Sequence, residues 1–405
     1  MTVLRTDVLV VGAGPAGCAA AIAAKQGRPD LKVILVDKAV FPRDKVCGDG
    51  IGPGDVSVLE DLGITEVIDG ETPISLCEVT GPQGTHFVTT LPKVKGRQLT
   101  GYVIPRLAFD DRLRSAAERA GAIFLSEHHF SGIQSSNETE STLDFESPDG
   151  TVSITSRWIV AADGANSRVR NALGVNRNSD RLTGIAVRSY RDVIATRNNA
   201  HTLRFDWIDE LLPAYAWYFP GSTTTINFGL GMVARDRKKR QIDLKNLLER
   251  YNSILDPSGT LFSESRNVSS YILPHGARMP KLVHGNFILI GDAASMINPL
   301  SGEGIFYGMA AGEVVGSRIA ARKESEPATR ILRQAEREIR KRFVSHFRSN
   351  YVASVLLRSR TWAAISIRAS ARDPRVVSDA AELLFGEGRI RLRTMFLIIT
   401  RGIRQ

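Results

Sequence analysis

The chain has 405 residues, of which 43% are hydrophobic and 24% are charged, and its formal net charge is +10. This composition is typical of a globular protein and argues against disorder, and the length is sufficient for two or three domains. The three cysteines, Cys18, Cys47 and Cys77, stand at unrelated spacings that exclude a disulfide framework and a zinc site. None of the seven histidines recurs at ligand spacing, so no metal ion is assigned.

The excess positive charge lies at the C-terminal end. Residues 331–405 contain 16 Arg or Lys and 6 Asp or Glu, whereas residues 1–330 contain 37 of each. No helix-turn-helix or zinc-finger pattern accompanies this charge, so we expect no nucleic acid partner. Two interpretations stay open: a solvated basic helical face, or contact with an anionic membrane or a diphosphate group. Because no secretory signal pattern precedes the first strand, we expect a cytoplasmic protein, with membrane association as the open alternative.

The first predicted element is an apolar strand at residues 8–11, which ends at Gly12 before a helix-compatible series of alanines. In the pattern GxGxxG, Gly12 makes the turn, Gly14 leaves room for a pyrophosphate, and Gly17 lets the helix pack closely on the strand. Ala16 lies in the same first turn, where the helix N-terminus supplies amide donors. The pattern predicts a strand, a tight turn and a helix that together bind a phosphate group.

A second apolar strand, residues 33–36, ends at Asp37, which lies 20 residues beyond Gly17. An acidic side chain at this distance accepts hydrogen bonds from a ribose hydroxyl. With both strands and the acid in place, the pattern predicts a dinucleotide site rather than a merely structural turn.

The loop after Asp37 is dense in glycine and includes Cys47, Gly48 and Gly50. Such a loop favours backbone lying against a ligand over a free surface loop, given its position directly after the predicted ribose site. Further along, Arg106 stands in the first turn of a predicted helix. It is either a partner for phosphate charge or a solvated helix-end arginine, and composition alone does not decide.

Two later buried strands also end in an aspartate. The first ends at Asp163-Gly164, and the second ends at Gly291-Asp292. A helix rich in small residues is predicted to begin near Ile305, directly after Gly304, with its N-terminus toward the sheet, where the helix dipole favours an anion.

The predicted fold class is α/β (α+β mixed): a Rossmann-type nucleotide-binding domain with an inserted antiparallel-sheet domain and a C-terminal helical segment. Strand-like alternation with turn residues marks the inserted domain, and the C-terminal segment is basic and helical. The predicted boundaries are 1–73, 105–183 and 275–323 for the nucleotide-binding domain, 74–104 and 184–274 for the inserted domain, and 324–405 for the helical segment.

Three motifs stand in a characteristic order: GxGxxG at 12–17, Ala-Asp-Gly at 162–164, and Gly-Asp-Ala-Ala with Pro-x-x-Gly-Glu-Gly at 291–304. Together they resemble the flavoproteins that include the aromatic hydroxylases and flavin-dependent halogenases, although Asp37 replaces a more usual Glu. The resemblance implies extended FAD, with Asp37 and the glycine turn at its adenosine half. It further implies these cofactor contacts: Arg106, Asp163 and Gly164 at the pyrophosphate, Asp292 at the ribitol, and Gly304 and Ile305 at the flavin ring.

Residues 41–50, Phe-Pro-Arg-Asp-Lys-Val-Cys-Gly-Asp-Gly, and residues 215–220, Tyr-Ala-Trp-Tyr-Phe-Pro, resemble the paired signatures of the geranylgeranyl reductase family. Members of this family saturate prenyl double bonds. Tyr215, Trp217 and Phe219 alternate along a strand and share one face, where aromatic rings can wall a prenyl tunnel and stabilise a developing cation. The other interpretation is ordinary aromatic packing in a core strand. Cys47 is a candidate proton-relay or positioning group; otherwise it is a small packing residue.

The sequence therefore predicts an FAD-dependent reductase of isolated double bonds in a prenyl or terpenoid chain. Its electrons are expected from NAD(P)H, a separate reductase or a ferredoxin. The alternative is an FAD-dependent monooxygenase on an aromatic or terpenoid metabolite, because the same fold serves both reactions.

Overall fold

The computed structural model of the protein describes residues 2–94, 97–137, 139–193, 201–221, 225–263, 266–323 and 326–403. Within the predicted segments, residues 95–96 of the stretch 74–104, residues 194–200, 222–224 and 264–265 of the stretch 184–274, and residues 324–325 and 404–405 of the C-terminal segment lie outside the described residues.

The described strands follow one another in this order: β1 (Thr2–Val11), β2 (Val33–Val36), β3 (Gly50–Ile51), β4 (Leu76–Thr80), β5 (His86–Thr90), β6 (Lys93–Val94), β7 (Arg97–Gln98), β8 (Tyr102–Val103), β9 (Ile123–Leu125), β10 (His129–Ser136), β11 (Ser141–Ser147), β12 (Gly150–Ala161), β13 (Thr183–Asp192), β14 (Thr202–Asp206), β15 (Tyr215–Pro220), β16 (Thr225–Val233), β17 (Arg266–Pro274), β18 (Val283–His284) and β19 (Phe287–Leu289).

The described α-helices are α1 (Pro15–Gly27), α2 (Pro53–Asp61), α3 (Arg106–Arg119), α4 (Arg168–Ala172), α5 (Ala234–Arg240), α6 (Leu244–Leu255), α7 (Ile305–Ala320), α8 (Ala328–Leu357), α9 (Arg360–Arg372), α10 (Pro374–Phe385) and α11 (Leu392–Gly402).

The first sheet contains a parallel layer in the order β9-β2-β1-β12-β19, to which β10, β11 and β18 add antiparallel strands. The register pairs Val11 with both Val36 and Ala161, and Ala161 with Leu289. The carboxyl ends of β1, β2, β12 and β19 therefore meet at one edge. In open α/β sheets this is the edge where ligands bind.

Helix α7 packs against α1 through a stripe of glycines. A Cβ added at Gly312 would lie 2.3 Å from the carbonyl oxygen of Ala16, and one at Gly316 would lie 2.3 Å from that of Ala20. Because glycine leaves no side chain between the helices, their backbones approach closely. The N-termini of both helices consequently meet at the carboxyl edge of the parallel strands.

The second sheet has the order β17-β13-β16-β15-β14-β4-β5. Its pairs are antiparallel except for β14 with β4, which run parallel. Helices α8 to α11 follow, and both α9 and α10 contribute buried apolar residues. The mixed α/β fold class with C-terminal helices is confirmed.

Candidate functional site

The glycine turn after β1 has the geometry of a phosphate cradle. Gly12 has φ of +105°, and a Cβ there would lie 2.4 Å from the Ala162 carbonyl oxygen. At Gly17 a Cβ would lie 1.9 Å from the carbonyl oxygen of Gly12, so this glycine permits close helix packing. Gly14 differs: its nearest neighbour would be the Arg43 Nη2 atom at 3.7 Å. Space is therefore left in front of Gly14, at the start of α1.

Asp37 is held against this turn. Its Oδ2 atom accepts a 2.8 Å hydrogen bond from the Ala13 amide, and its Oδ1 atom accepts a 2.9 Å hydrogen bond from the Ala39 amide. Each carboxylate oxygen keeps a second lone pair. The carboxylate is thus positioned by the chain and still able to accept a hydroxyl hydrogen.

Arg106 is buried in the wall of the cleft, which excludes the solvated interpretation. Its guanidinium donates to both oxygens of Asp110, at 2.6 and 2.7 Å, and Arg43 also contacts Asp110 at 2.7 Å. Burial opposes ionisation of Asp110, yet the two arginines hold its pKa below the usual range. Both arginines thus share Asp110, but it is Arg43 whose Nη2 atom faces Gly14, and the sequence analysis did not single out this residue.

In the turn after β12, Asp163 and Gly164 have different roles. The Asp163 carboxylate accepts from the Arg168 amide at 2.8 Å and from the Ser167 hydroxyl at 2.5 Å, and it thereby fixes the start of α4. Gly164, with φ of +82°, lines the cleft beside the Tyr271 hydroxyl. The backbone at Gly164, rather than the Asp163 side chain, faces the cavity.

Asp292 lies between a lysine and the start of α7. Its Oδ2 atom accepts a 3.0 Å hydrogen bond from Lys45 Nζ, whose ammonium also lies 5.1 Å from the centre of the Tyr271 ring. A Cβ at Gly304 would lie 3.3 Å from Asp292 Oδ1. Asp292, Gly304 and Ile305 all line the cleft, as does Lys45.

Glu303 occupies the N-terminus of α7. Its Oε1 atom accepts from the Ile305 amide at 2.6 Å and from the Phe306 amide at 3.1 Å. The anion that the sequence predicts at this helix end is therefore, in the structure, the chain's own carboxylate. Burial raises the pKa of Glu303.

A second buried carboxyl group, Asp55, lies near Glu303. One oxygen of Asp55 accepts a 2.7 Å hydrogen bond from the Gly52 amide, whereas Oδ1 finds no donor in the described part of the chain. Burial and the charge of Glu303 raise the pKa of Asp55 well above its usual range. The charge of Glu303 therefore disfavours the ionised form of Asp55.

The aromatic residues of β15 form one wall of the cleft. Tyr215, Trp217 and Phe219 all line it, and the Tyr215 hydroxyl donates to the carbonyl of Ser301. Trp207 stacks on Tyr215 with ring centres 5.3 Å apart, and Phe205 meets Phe219 edge to face at 5.2 Å. The aromatic wall thus extends onto β14.

The glycine-dense loop lies directly on these rings. A Cβ at Gly48 would lie 3.3 Å from both Phe219 and Trp217, and one at Gly50 would lie 3.4 Å from Phe219. Cys47 lines the same cleft, and burial is the main cause that raises its thiol pKa. The thiol is therefore protonated at neutral pH.

One polar network joins the loop to the aromatic wall, and sequence reasoning missed it. Asn227 accepts from the Trp217 indole N–H at 3.0 Å and donates to both the Asp49 carboxylate and the Cys47 carbonyl at 2.8 Å. Tyr190 also donates to Asp49, at 2.6 Å. Burial raises the pKa of Asp49 to about 6, against these hydrogen bonds. The available signal was a single amide, Asn227, in an otherwise apolar strand.

Comparison with known proteins identifies the family to which the chain belongs. A model of the FAD binding domain matches residues 5–348. The chain is 33% identical to menaquinone reductase of Mycobacterium tuberculosis over 328 residues, which cover 78% of this chain and 77% of the relative. It is 30% identical to digeranylgeranylglycerophospholipid reductase 1 of Methanothermobacter thermautotrophicus over 349 residues, covering 83% and 82%. The chain belongs to the geranylgeranyl reductase family of FAD-dependent oxidoreductases.

Solved structures show how widely the fold of this geranylgeranyl reductase family member is used. A geranylgeranyl bacteriochlorophyll reductase-like protein of Thermoplasma acidophilum superposes with a TM-score of 0.80 at 22% identity, covering 99% of this chain and 97% of that one. A flavin-dependent brominase superposes with a TM-score of 0.76 at 16% identity, covering 98% of each chain. At these identities the likeness concerns the fold alone.

The described residues fit FAD. Open space in front of Gly14, the N-terminus of α1 and the cation Arg43 suit a pyrophosphate, and the fixed carboxylate of Asp37 suits a ribose. Lys45 and Asp292 line the same cleft as the glycine turn and the aromatic wall. The chain is thus a flavin-dependent oxidoreductase whose cofactor cleft opens onto apolar rings.

Proposed function

We propose that this protein is an FAD-dependent reductase that saturates isolated carbon–carbon double bonds in a polyprenyl chain. The observation that carries the proposal is the aromatic wall of Tyr215, Trp217 and Phe219, which faces the same cleft as the glycine turn. A wall of aromatic rings at that position suits a hydrocarbon, because the Tyr215 hydroxyl and the Trp217 N–H already donate to partners within the chain.

The size and shape of the apolar space support a long substrate. Beside the cleft, whose cavity is about 250 Å³, lies a second, almost wholly apolar cavity of about 180 Å³ between the edge of the second sheet and helices α8 to α11. The two cavities share wall residues, which are Leu91, Phe205, Trp207, Leu300, Leu357, Leu384 and Phe385. A chain of isoprene units threaded past the aromatic wall would continue into this second cavity.

The chemistry of the wall suits this reaction. Reduced FAD, when bound, supplies a hydride to one alkene carbon. An isolated alkene is a poor hydride acceptor, so a proton must reach the other carbon as positive charge develops. The faces of Trp217 and its neighbours stabilise that charge by about 1 to 2 kcal/mol. The protonated thiol of Cys47, which lines the cleft, is our candidate donor or positioning group for the proton.

The names of the relatives narrow the substrate class. Menaquinone reductase and digeranylgeranylglycerophospholipid reductase 1 are named for molecules that carry polyprenyl chains. We therefore propose a polyprenyl lipid as substrate. The electrons come from an external donor, for which NAD(P)H, a flavin reductase and a ferredoxin are the candidates.

The test is product analysis. Holoprotein with a chemical reductant is incubated with a digeranylgeranyl lipid, which carries no quinone that the reductant could reduce, and the product mass is measured. We expect the gain of two hydrogens, and Phe219→Leu is expected to slow it several-fold. Tyr218→Leu is the matched control, because Tyr218 lies on the opposite face of β15 and packs against Phe262 at 6.0 Å. A product that gains oxygen instead would establish the monooxygenase alternative.

A further inference from the structure

Helix α11 exposes an apolar stripe. Leu392, Phe396, Ile399 and Ile403, hereafter the α11 face, have 91, 66, 41 and 60% of their surfaces exposed. Their spacing of four, three and four residues places them on one side of the helix and its C-cap. Large apolar side chains exposed side by side, unlike singly scattered ones, mark an interaction surface.

The opposite side of α11 is already packed. Thr394 and Leu397 are buried, and a Cβ at Gly402 would lie 2.2 Å from the Ile365 carbonyl oxygen on α9. Met395 and Ile398 line the second cavity. Helix α11 therefore packs on the protein through its inner side, and the α11 face remains exposed as a separate outer surface.

Arginines flank the α11 face. Residues 388–405 contain five Arg and no Asp or Glu. The side chains of Arg391 and Arg393, on either side of Leu392 in sequence, are more than half exposed, and their contacts with Asp379 are long, at 3.6 and 3.5 Å. Ion pairs that are long and exposed contribute little, so the surface keeps a positive surplus.

We propose that the α11 face docks on the surface of an anionic phospholipid bilayer. The four apolar side chains would enter the boundary between headgroups and acyl chains, and the arginines would meet lipid phosphates. An amphipathic helix with large apolar side chains flanked by basic ones binds in this way, and each arginine near the surface adds to the attraction.

Charge favours a bilayer over a second copy of the chain. A second copy paired through the same surface would bring two sets of arginines together, and residues 388–405 contain no acidic residue to pair with them across the contact. In the described chain, no helix is both long and apolar enough to cross a membrane. Docking would also bring the second cavity, on the inner side of α11, close to prenyl chains held in the membrane. This consequence rests on the proposed function, whereas docking itself does not.

The test is co-sedimentation of the full-length holoprotein with vesicles of phosphatidylcholine, alone or mixed with phosphatidylglycerol. We expect binding to the mixed vesicles that weakens with salt. Leu392→Ser/Phe396→Ser should lower the partition coefficient about tenfold or more. The matched control, Val40→Ser/Val88→Ser, removes two similarly exposed apolar side chains elsewhere and should bind as the parent does.

A second variant separates charge from apolar contact. Arg391→Gln/Arg393→Gln should weaken binding to the mixed vesicles several-fold and leave the flavin content unchanged. Equal sedimentation of parent and Leu392→Ser/Phe396→Ser would overturn the proposal. So would a dimer, measured by light scattering, that Leu392→Ser/Phe396→Ser dissociates, since the α11 face would then bind a second copy. Neither result depends on whether double bonds are reduced.

Discussion

The side-chain amide of Asn227 donates a 2.8 Å hydrogen bond to the buried carboxylate of Asp49, although 178 positions separate the two in sequence. The same amide group accepts from Trp217 and donates to the Cys47 carbonyl. Asn227 therefore links the glycine-dense loop to the aromatic wall, and Tyr190 holds the same carboxylate from a neighbouring strand. Because the loop and the wall both line the cleft, this contact contributes to the geometry of the site.

Asn227→Ala should destabilise the protein. The change leaves the buried Asp49 carboxylate, the Cys47 carbonyl and the Trp217 N–H without their partner, which costs about 2 to 3 kcal/mol of unfolding free energy. Urea unfolding measures it, with Asn246→Ala on the surface of α6 as control. A loss no greater than that of the control would show that the network does not hold the loop.

Asp49→Asn should change the pH dependence of stability. Burial raises the folded-state pKa of Asp49 from 3.8 to about 6, so the folded protein binds more protons than the unfolded chain between these values. The free energy of unfolding therefore falls as pH rises through this window, by about 3 kcal/mol. The asparagine introduced at position 49 can still accept hydrogen bonds from Tyr190 and Asn227, but it does not titrate. The difference between the parent and Asp49→Asn should appear in this window; parallel pH profiles would contradict it.

Asp55→Asn should stabilise the protein at neutral and mildly alkaline pH. Asp55 Oδ1 is buried without a donor in the described chain, and burial with the charge of Glu303 raises the Asp55 pKa. Folding therefore opposes the ionisation that Asp55 undergoes in the unfolded chain. The resulting loss of unfolding free energy grows as pH rises above 3.8. The amide can still accept from Gly52 and carries no charge. Thermal unfolding should show a gain that vanishes below that pH, and a loss at all pH values would refute the charge argument.

Gly14→Ala should separate flavin binding from folding. A methyl group there would meet nothing nearer than Arg43 Nη2 at 3.7 Å, so the apoprotein should unfold at the parent temperature. It would occupy the space proposed for the pyrophosphate, so FAD affinity should fall about tenfold or more. In Gly12→Ala, by contrast, φ of +105° and the 2.4 Å approach to Ala162 should destabilise the fold itself. Flavin titration and thermal unfolding distinguish the two variants. An unchanged FAD affinity in Gly14→Ala would show that the pyrophosphate does not bind in front of Gly14.

Local patterns explain what the sequence could predict. A strand, a glycine turn and a helix are encoded within 6–27, and the structure has β1 and α1 there. The helix near Ile305 was predicted for the same reason and is α7. Trp217 and Phe219 share a face because strand periodicity requires it.

Contacts between distant segments explain what the sequence could not predict. Asp49 and Asn227, or Asp55 and Glu303, come together only when α2, α7 and the second sheet are placed relative to one another. The compensation of Arg106 by Asp110 depends on burial, which charge counting does not show. Residues 395–399 are all apolar in sequence, and their division between an inner and an outer side becomes visible only in α11.

The most direct test of the proposed reaction is the fate of electrons in the reduced holoprotein without oxygen. Anaerobically reduced protein is mixed with an anaerobic solution of a digeranylgeranyl lipid, which has no quinone to accept electrons, and in parallel with air-saturated buffer, with and without the lipid. We predict that the lipid alone reoxidises the flavin and that one double bond is saturated for each flavin reoxidised. Reoxidation by oxygen only, with an oxygen atom appearing in the lipid once both are present, would contradict the reductase and identify a monooxygenase.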